Sequence, residues 1–250
     1  DDNNTIGMDD TLRAMNAHPN IEVRLFNPFS FRTLRALGYL TDFARLNRRM
    51  HNKSFIVDGE ATIIGGRNVG DAYFGAGEQP LFSDLDVLAI GPVVEDVTRD
   101  FERYWNSRCV STLQDVLQLD AEDINERVRL PKAWEDDPVT QRYLERLDSS
   151  TFATNLEAGT LKLVWARTRL LSDDPRKGMG KARSHTLLPQ RMLDAIGQPQ
   201  EEIDIISSYF VPTRAGVAQL LSLRRRGVRI AVLTNSLAAN DVTVVHAGYA

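Results

Sequence analysis

Apolar positions change period repeatedly along the chain. Short runs of apolar and β-branched residues alternate with stretches at helical spacing. A helix through Leu12 and Met15 precedes a strand over 21–26. Phe55-Ile56-Val57 and Ala61-Thr62-Ile63-Ile64 flank Asp58-Gly59, a dipeptide suited to the positive φ angles of a hairpin turn. Residues 85–90 read as a strand closed by Gly91-Pro92. Beyond it Val94, Val97, Phe101, Tyr104 and Trp105 recur at helical spacing, predicting a helix over 94–107 with that stripe in the core. Residues 117–147 are charged and helical without a clean apolar face, the most variable part of the chain. Strand character restarts at 161–165, followed by a helix over 187–196, a strand over 202–210 and a buried strand over 228–233. Arg224-Arg225-Arg226 before Gly227 has the form of a helix C-terminus, where cations complement the dipole and glycine caps. The alternation predicts an α/β fold with a mixed or largely parallel sheet flanked by helices on both faces.

One segment carries chemistry. Residues 51–68 place His51, Lys53, Asp58, Gly65, Gly66 and Asn68 in the spacing H-x-K-x4-D-x6-G-G-x-N. At average residue frequencies a chain of this length shows that pattern by chance on the order of a few times in a million. Residues two apart on a strand face the same side, so His51 and Lys53 project together. Gly65-Gly66 lets the backbone approach a ligand, and Asn68 follows at the mouth of the same hairpin. Imidazole, ammonium and carboxamide together suit a phosphodiester. The imidazole attacks phosphorus while Lys and Asn hold the non-bridging oxygens.

This spacing resembles the HKD motif of the phospholipase D superfamily. Arg49-Met50-His51-Asn52-Lys53, Gly70-Asp71-Ala72-Tyr73-Phe74 and Phe82-Ser83-Asp84-Leu85-Asp86-Val87 are similar to the bacterial cardiolipin synthase branch. So are Ser208-Tyr209-Phe210-Val211-Pro212-Thr213 and the segment 232–242. The resemblance implies a phosphatidyl transfer without metal or other cofactor, through a covalent phosphohistidine. A second histidine, from a second HKD motif, protonates the leaving alkoxide and then deprotonates the acceptor alcohol. Carried onto this chain, the catalytic set is His51, Lys53 and Asp58. His51 is the nucleophile or the acid–base partner, and Asp58 ties the hairpin together. Lys53, Asn68 and Gly66 bind the substrate phosphate. Asp84 and Asp86 share a strand face and orient the histidine, Asp84 being better placed to accept its Nδ1 proton. The implied partners are phosphatidylglycerol and a second phospholipid, met by peripheral contact at the cytoplasmic side of the bacterial inner membrane.

The second motif is absent. None of His18, His185 and His246 has a lysine two positions on, and all three read as surface or structural. Asp2-Asn3-Asn4 resembles a counterpart of Thr234-Asn235-Ser236, which suggests an internal repeat. Residues 1–155 then form a first HKD module lacking its N-terminal strand, and 156–250 the start of a second. In that register the second histidine falls roughly 30 residues beyond Ala250. The expectation is a fragment of a longer two-motif enzyme, or else a homodimer in which each copy donates one motif.

Composition narrows the alternatives. With 42% hydrophobic and 26% charged residues, the 250-residue chain can bury a sizeable core. Its net charge of −4 supplies no global attraction to nucleic acid or anionic lipid, and no continuous basic–aromatic groove is apparent in the text. Nucleic acid is therefore the weaker substrate, although a phosphodiesterase or nuclease of the same superfamily remains the second reading and an inactive fragment the third. A single cysteine, Cys109, excludes an intrachain disulfide. There is no run of 18 apolar residues to span a membrane. Two further patches stand out. Residues 176–183 form a glycine-punctuated cationic loop, either mobile in solvent or facing anionic headgroups. Phe26, Phe29, Phe31, Tyr39 and Phe43, amid Arg32 and Arg35, either pack together or form an acyl-chain entrance.

Overall fold

The computed structural model describes residues 1–30, 32, 34–74, 82–117 and 137–236. The helices are α1 (Asp9–Asn16), α2 (Arg35–Leu46), α3 (Asp71–Phe74), α4 (Pro92–Trp105), α5 (Leu113–Leu117), α6 (Pro138–Asp148), α7 (Thr151–Glu157), α8 (Leu188–Ile196) and α9 (Arg214–Arg225). The strands are β1 (Arg24–Phe26), β2 (Ser54–Val57), β3 (Ala61–Gly65), β4 (Asp86–Ile90), β5 (Val110–Thr112), β6 (Glu202–Ile206) and β7 (Arg229–Leu233). Packing divides the chain into two units, Asp1–Leu188 and Pro189–Ala250. The 155/156 division is an expectation drawn from the sequence and not from packing.

In the first unit β1 is apolar on both faces, and each face organises a core. It pairs antiparallel with β5, Leu25 opposite Ser111 and Phe26 opposite Val110. Because neighbours on a strand point to opposite sides, Leu25 packs with Leu12 of α1 and Leu113 of α5, while Phe26 packs with Tyr104 of α4 and Cys109. Met179, from a 3₁₀ turn over Pro175–Met179, closes the second cluster. That turn lies inside the segment expected to be a mobile or headgroup-facing loop. Gly178 sits so close to Phe26 and Cys109 that a Cβ there would lie 2.8 Å from the Phe26 ring and 2.9 Å from the Cys109 sulfur. Arg176 pairs with Asp174 at 2.6 Å and Lys177 with Asp173. The first part of the segment is therefore packed and ion-paired, while Arg176, Lys181 and Arg183 stay exposed to solvent.

The hairpin forms as its turn chemistry dictates. Asp58 and Gly59 adopt φ of 52° and 70°, and the Glu60 amide donates to the Val57 carbonyl at 2.9 Å. β2, β3 and β4 make one antiparallel sheet with Phe55 opposite Ile63 and Ile63 opposite Leu88. Helix α4 packs on this sheet. On its other face Phe55, Ile63 and Ile90 are exposed.

The second unit holds β6 and β7, parallel and linked through α9, with Ile203 opposite Ile230. Thr213 caps α9 by accepting from the Gly216 amide at 3.3 Å. The helix ends at the predicted arginines, with Gly227 at φ 91°.

The elements therefore match an α/β reading, but their assembly differs from a single mixed, doubly covered sheet. The described strands form three separate sheets, and only β6–β7 is a parallel pair. The short turn after Val57 restricts β2–β3 to an antiparallel pair, and β6–β7 is parallel because the α9 crossover returns the chain to the same end of the ladder. Residues 161–165 join no ladder among the described residues, and Val164 and Trp165 are exposed. Apolar alternation alone cannot supply a hydrogen-bonding neighbour. Phe101, expected in the core, is also exposed. Of the stretch 117–147, Leu117 ends α5 and 138–147 belong to α6, while 118–136 fall outside the described residues. Phe31 and His246 fall outside them.

An acidic N-terminal turn anchors this unit. Asp2 is fully buried, accepts from the Phe29 amide at 2.8 Å, and pairs with Arg32 and, at 3.6 Å, with Arg35. Burial alone would raise its pKa, but the bonds from Thr5, Phe29 and Arg32 outweigh it and hold the carboxyl below its ordinary value. A depressed carboxylate contributes stability above its unfolded-state pKa, and loses it as pH falls through the folded value. Asp2→Ala leaves Arg32 buried against a lost partner and should destabilise the first unit by about 3–5 kcal/mol in urea unfolding. The variant's stability should also fall less steeply than wild type's below the ordinary carboxylate pKa.

Candidate active site around His51 and Lys53

The backbone entering the motif is held from two sides. Asn27, buried and at φ 50°, donates through Nδ2 to the Arg48 carbonyl at 2.7 Å. The Met50 amide donates to the Asp1 carboxylate at 2.8 Å. His51 and Lys53 follow directly and line one cavity of about 540 Å³. Phe101, Trp105, Leu170 and Leu171 give it an apolar wall, and Tyr104, Asp173 and Lys177 bring polar groups to it. Phe101 and Trp105 stack at 5.5 Å between ring centroids.

Charge in this cavity is biased. Partial burial, then the positive charges of Lys53, Arg49 and Lys177, hold the His51 pKa below its ordinary value. Burial also lowers Lys53, opposed by the negative charge of Asp84. Lys53 Nζ donates to the His51 carbonyl at 3.0 Å and has no ion-pair partner within 4 Å among the described residues. The site thus offers a neutral imidazole beside an ammonium that a carboxylate has not claimed. Burial pushes the Tyr104 phenol up to about 12, and its side chain bonds Asn52, the residue between His51 and Lys53. The same hydroxyl donates to the Asp173 carbonyl at 3.0 Å.

The remaining motif residues are distributed around the hairpin. Gly65 lines the cavity with His51 and Lys53. A Cβ on Gly65 would overlap the Asp86 carboxylate, and one on Gly66 that of Asp84. The glycine pair therefore makes room for two carboxylates, a close approach read from sequence as space for ligand. Asp86 accepts from Arg67 Nε at 2.6 Å. Asn68 donates to the Tyr73 hydroxyl at 2.7 Å. Asp58 lies in the exposed turn at the far end of β2 from His51. Gly66, Asn68, Asp58, Asp84 and Asp86 are not among the residues lining the cavity. Asp84 bears on it through its charge on Lys53.

Three contributors escaped sequence reasoning. Asn27-Pro28 signals a turn but not that its carboxamide would hold the backbone ahead of the motif. Tyr104 was read as core only. Lys177 sat in a loop with no apparent tie to His51. His18 and His185 are exposed in a loop and a 3₁₀ turn.

Comparison with known proteins now bears on these residues. The chain is 68% identical over its whole length to cardiolipin synthase C of Escherichia coli K12, covering 53% of that protein. Residues 192–250 match the family described as cardiolipin synthase, PLD-like domain. The chain thus resembles the cardiolipin synthases of the phospholipase D superfamily. It is also 31% identical over its full length to an uncharacterized protein of Helicobacter pylori 26695, covering 50% of it. Cardiolipin synthase A of Pseudomonas syringae is 28% identical across 80% of the chain and 32% of its own length. The chain thus spans about half the length of the curated relatives it matches throughout. No solved structure matches it.

Two measurements check the geometry of this site. The His51 imidazole should titrate below the usual histidine range by NMR, and Lys53→Met should move its pKa upward, since a positive neighbour is lost. Gly65→Ala, which also meets the Asp86 backbone at 2.8 Å, should cost roughly 1–3 kcal/mol in urea unfolding. Gly66→Ala should cost less, because only the Asp84 side chain has to move.

Proposed function

We propose that this chain supplies one catalytic half of a phosphatidyltransferase of the cardiolipin synthase type. The observation that carries the reading is the placement of His51 and Lys53 in one apolar-walled cavity, with His51 biased toward its neutral form. A neutral imidazole has the lone pair that an attack on phosphorus needs. On this reading a ring nitrogen of His51 bonds to the phosphorus of a phosphatidyl donor and the bond to the leaving alkoxide breaks. Lys53 holds a non-bridging oxygen through the step, with Asn68 and the backbone at Gly66 as further phosphate contacts. Asp84 orients the imidazole, and Asp86, paired with Arg67, fixes the start of the strand that follows Asp84.

A second histidine–lysine pair protonates the leaving alkoxide. It is supplied by sequence outside these 250 residues or by a second copy. The same histidine then takes the proton of an acceptor hydroxyl, whose oxygen attacks phosphorus as the phosphorus–nitrogen bond breaks, restoring His51. The reaction is a transesterification. Phosphatidylglycerol and a second phospholipid are the substrates we infer, reached from the cytoplasmic face of the bacterial inner membrane. No described helix is long and apolar enough to cross a membrane, so the proposed contact is peripheral.

The test is peptide mass spectrometry after exposure to phosphatidylglycerol. A phosphatidyl adduct on the His51 peptide is expected, and His51→Ala should lack it. An adduct that survives His51→Ala, or a wild-type chain that forms none even when paired with a second motif, would sink the assignment of His51 as nucleophile. Adduct formation should rise with pH through the depressed His51 pKa and be level by pH 7, because the reactive form is deprotonated. It should persist in EDTA.

A further inference from the structure

Lys177 belongs to no motif, yet it lines the same cavity as His51 and Lys53. Its segment is fastened there rather than drifting past. The Tyr104 hydroxyl and Arg103 Nη2 donate to the Asp173 carbonyl at 3.0 and 2.9 Å. Ser172 Oγ donates to Asp100 of α4 at 2.7 Å. Gly178, in the turn that Asp174 caps, is wedged against Phe26 and Cys109, so the backbone of Lys177 has no freedom to withdraw. The Lys177 ammonium is half-buried and paired with Asp173, whose other carboxylate oxygen accepts from the Leu188 amide at 2.6 Å.

We propose that Lys177 is a second phosphate-oxygen cation of this site, held in place by Asp173 until an anionic phosphodiester arrives. The proposal rests on the phosphodiester reading above and deepens it by adding a ligand from outside the motif. Three observations support it. Lys53 and Lys177 reach the cavity from separate segments of chain. Both line the cavity that His51 lines, and both act electrostatically on His51. Lys177 also has a carboxylate that can keep its charge compensated while the site is empty. A phosphodiester oxygen would take over one of the ammonium's three donors, with the Asp173 contact retained or loosened. Asp173 thereby sets how tightly the anion is held.

The experiment titrates the full chain with two soluble probes, dibutyrylphosphatidylglycerol and inorganic phosphate, by NMR or calorimetry. Lys177→Met should weaken dibutyrylphosphatidylglycerol binding roughly tenfold, the loss of one charge-assisted hydrogen bond. Lys177→Arg should recover most of it. Asp173→Asn should tighten binding, because it removes the competing anion while its amide oxygen can still accept from Leu188. Damage to the fold would weaken binding in both Lys177→Met and Asp173→Asn, and that joint weakening would overturn the proposal. If Lys53→Met weakens binding and Lys177→Met does not, Lys177 is excluded while the phosphodiester reading stands. If neither has an effect, or the wild-type chain binds no phosphodiester, that reading fails and the proposal with it. Equal losses with both probes would assign Lys177 to phosphate oxygen in general. A loss confined to dibutyrylphosphatidylglycerol would assign it to the lipid headgroup.

Discussion

The packing of Phe26 against Gly178 and Cys109 is the contact on which the first unit turns. Phe26 occupies a strand only three residues long, so β1 contributes little ladder energy of its own and depends on burial from both sides. One side is closed by α1 and α5. The other is closed only when the 3₁₀ turn over Pro175–Met179 lies against the ring. The approach is close enough that only hydrogen fits at the Gly178 α-carbon. Asn27 follows Phe26 immediately, and its carboxamide holds the backbone ahead of His51. Core packing and site geometry therefore meet at two adjacent residues.

Electrostatics in the cavity follow from the same contact. The turn that covers Phe26 delivers Lys177, and Lys177 joins Lys53 and Arg49 in holding His51 toward its neutral form. Three cations near one imidazole would repel one another and any further proton. Asp173 and Asp84 offset that repulsion, the first by pairing with Lys177 and the second through its charge on Lys53. The stacked Phe101 and Trp105 wall adds low-dielectric surface beside these charges, which strengthens each interaction relative to water.

Local features were legible in the sequence where a single residue type dictates the backbone. Asp58-Gly59 specified a turn with two positive φ angles, and Arg224-Arg225-Arg226 before Gly227 a helix end. The spacing of His51 and Lys53 foretold that they would share a cavity. Long-range features were not legible. Nothing in the text around Phe26 names Gly178 as its cover, and Leu163-Val164-Trp165 has strand composition without a strand to pair with. The glycine pair 65–66 shows the limit most sharply. Sequence reading found that the missing side chains matter, but not that the Asp86 and Asp84 carboxylates stand where the Cβ atoms would be. Whether a gap is for substrate or for structure depends on the partner strand, which local pattern does not contain.

The late position of the 3₁₀ turn has a consequence for assembly during synthesis. His51 and Lys53 emerge from the ribosome long before Gly178 and Lys177. Until the later segment is made, Phe26 lacks its cover and the cavity lacks one wall. Closing contacts of high sequence separation is slow, because the loop entropy must be overcome before the contact returns any energy. A nascent chain halted ahead of Asp173 would carry the motif but an open hydrophobic cleft in its place. The site is thus withheld until most of the first unit exists, and its exposed precursor is a natural target for chaperones.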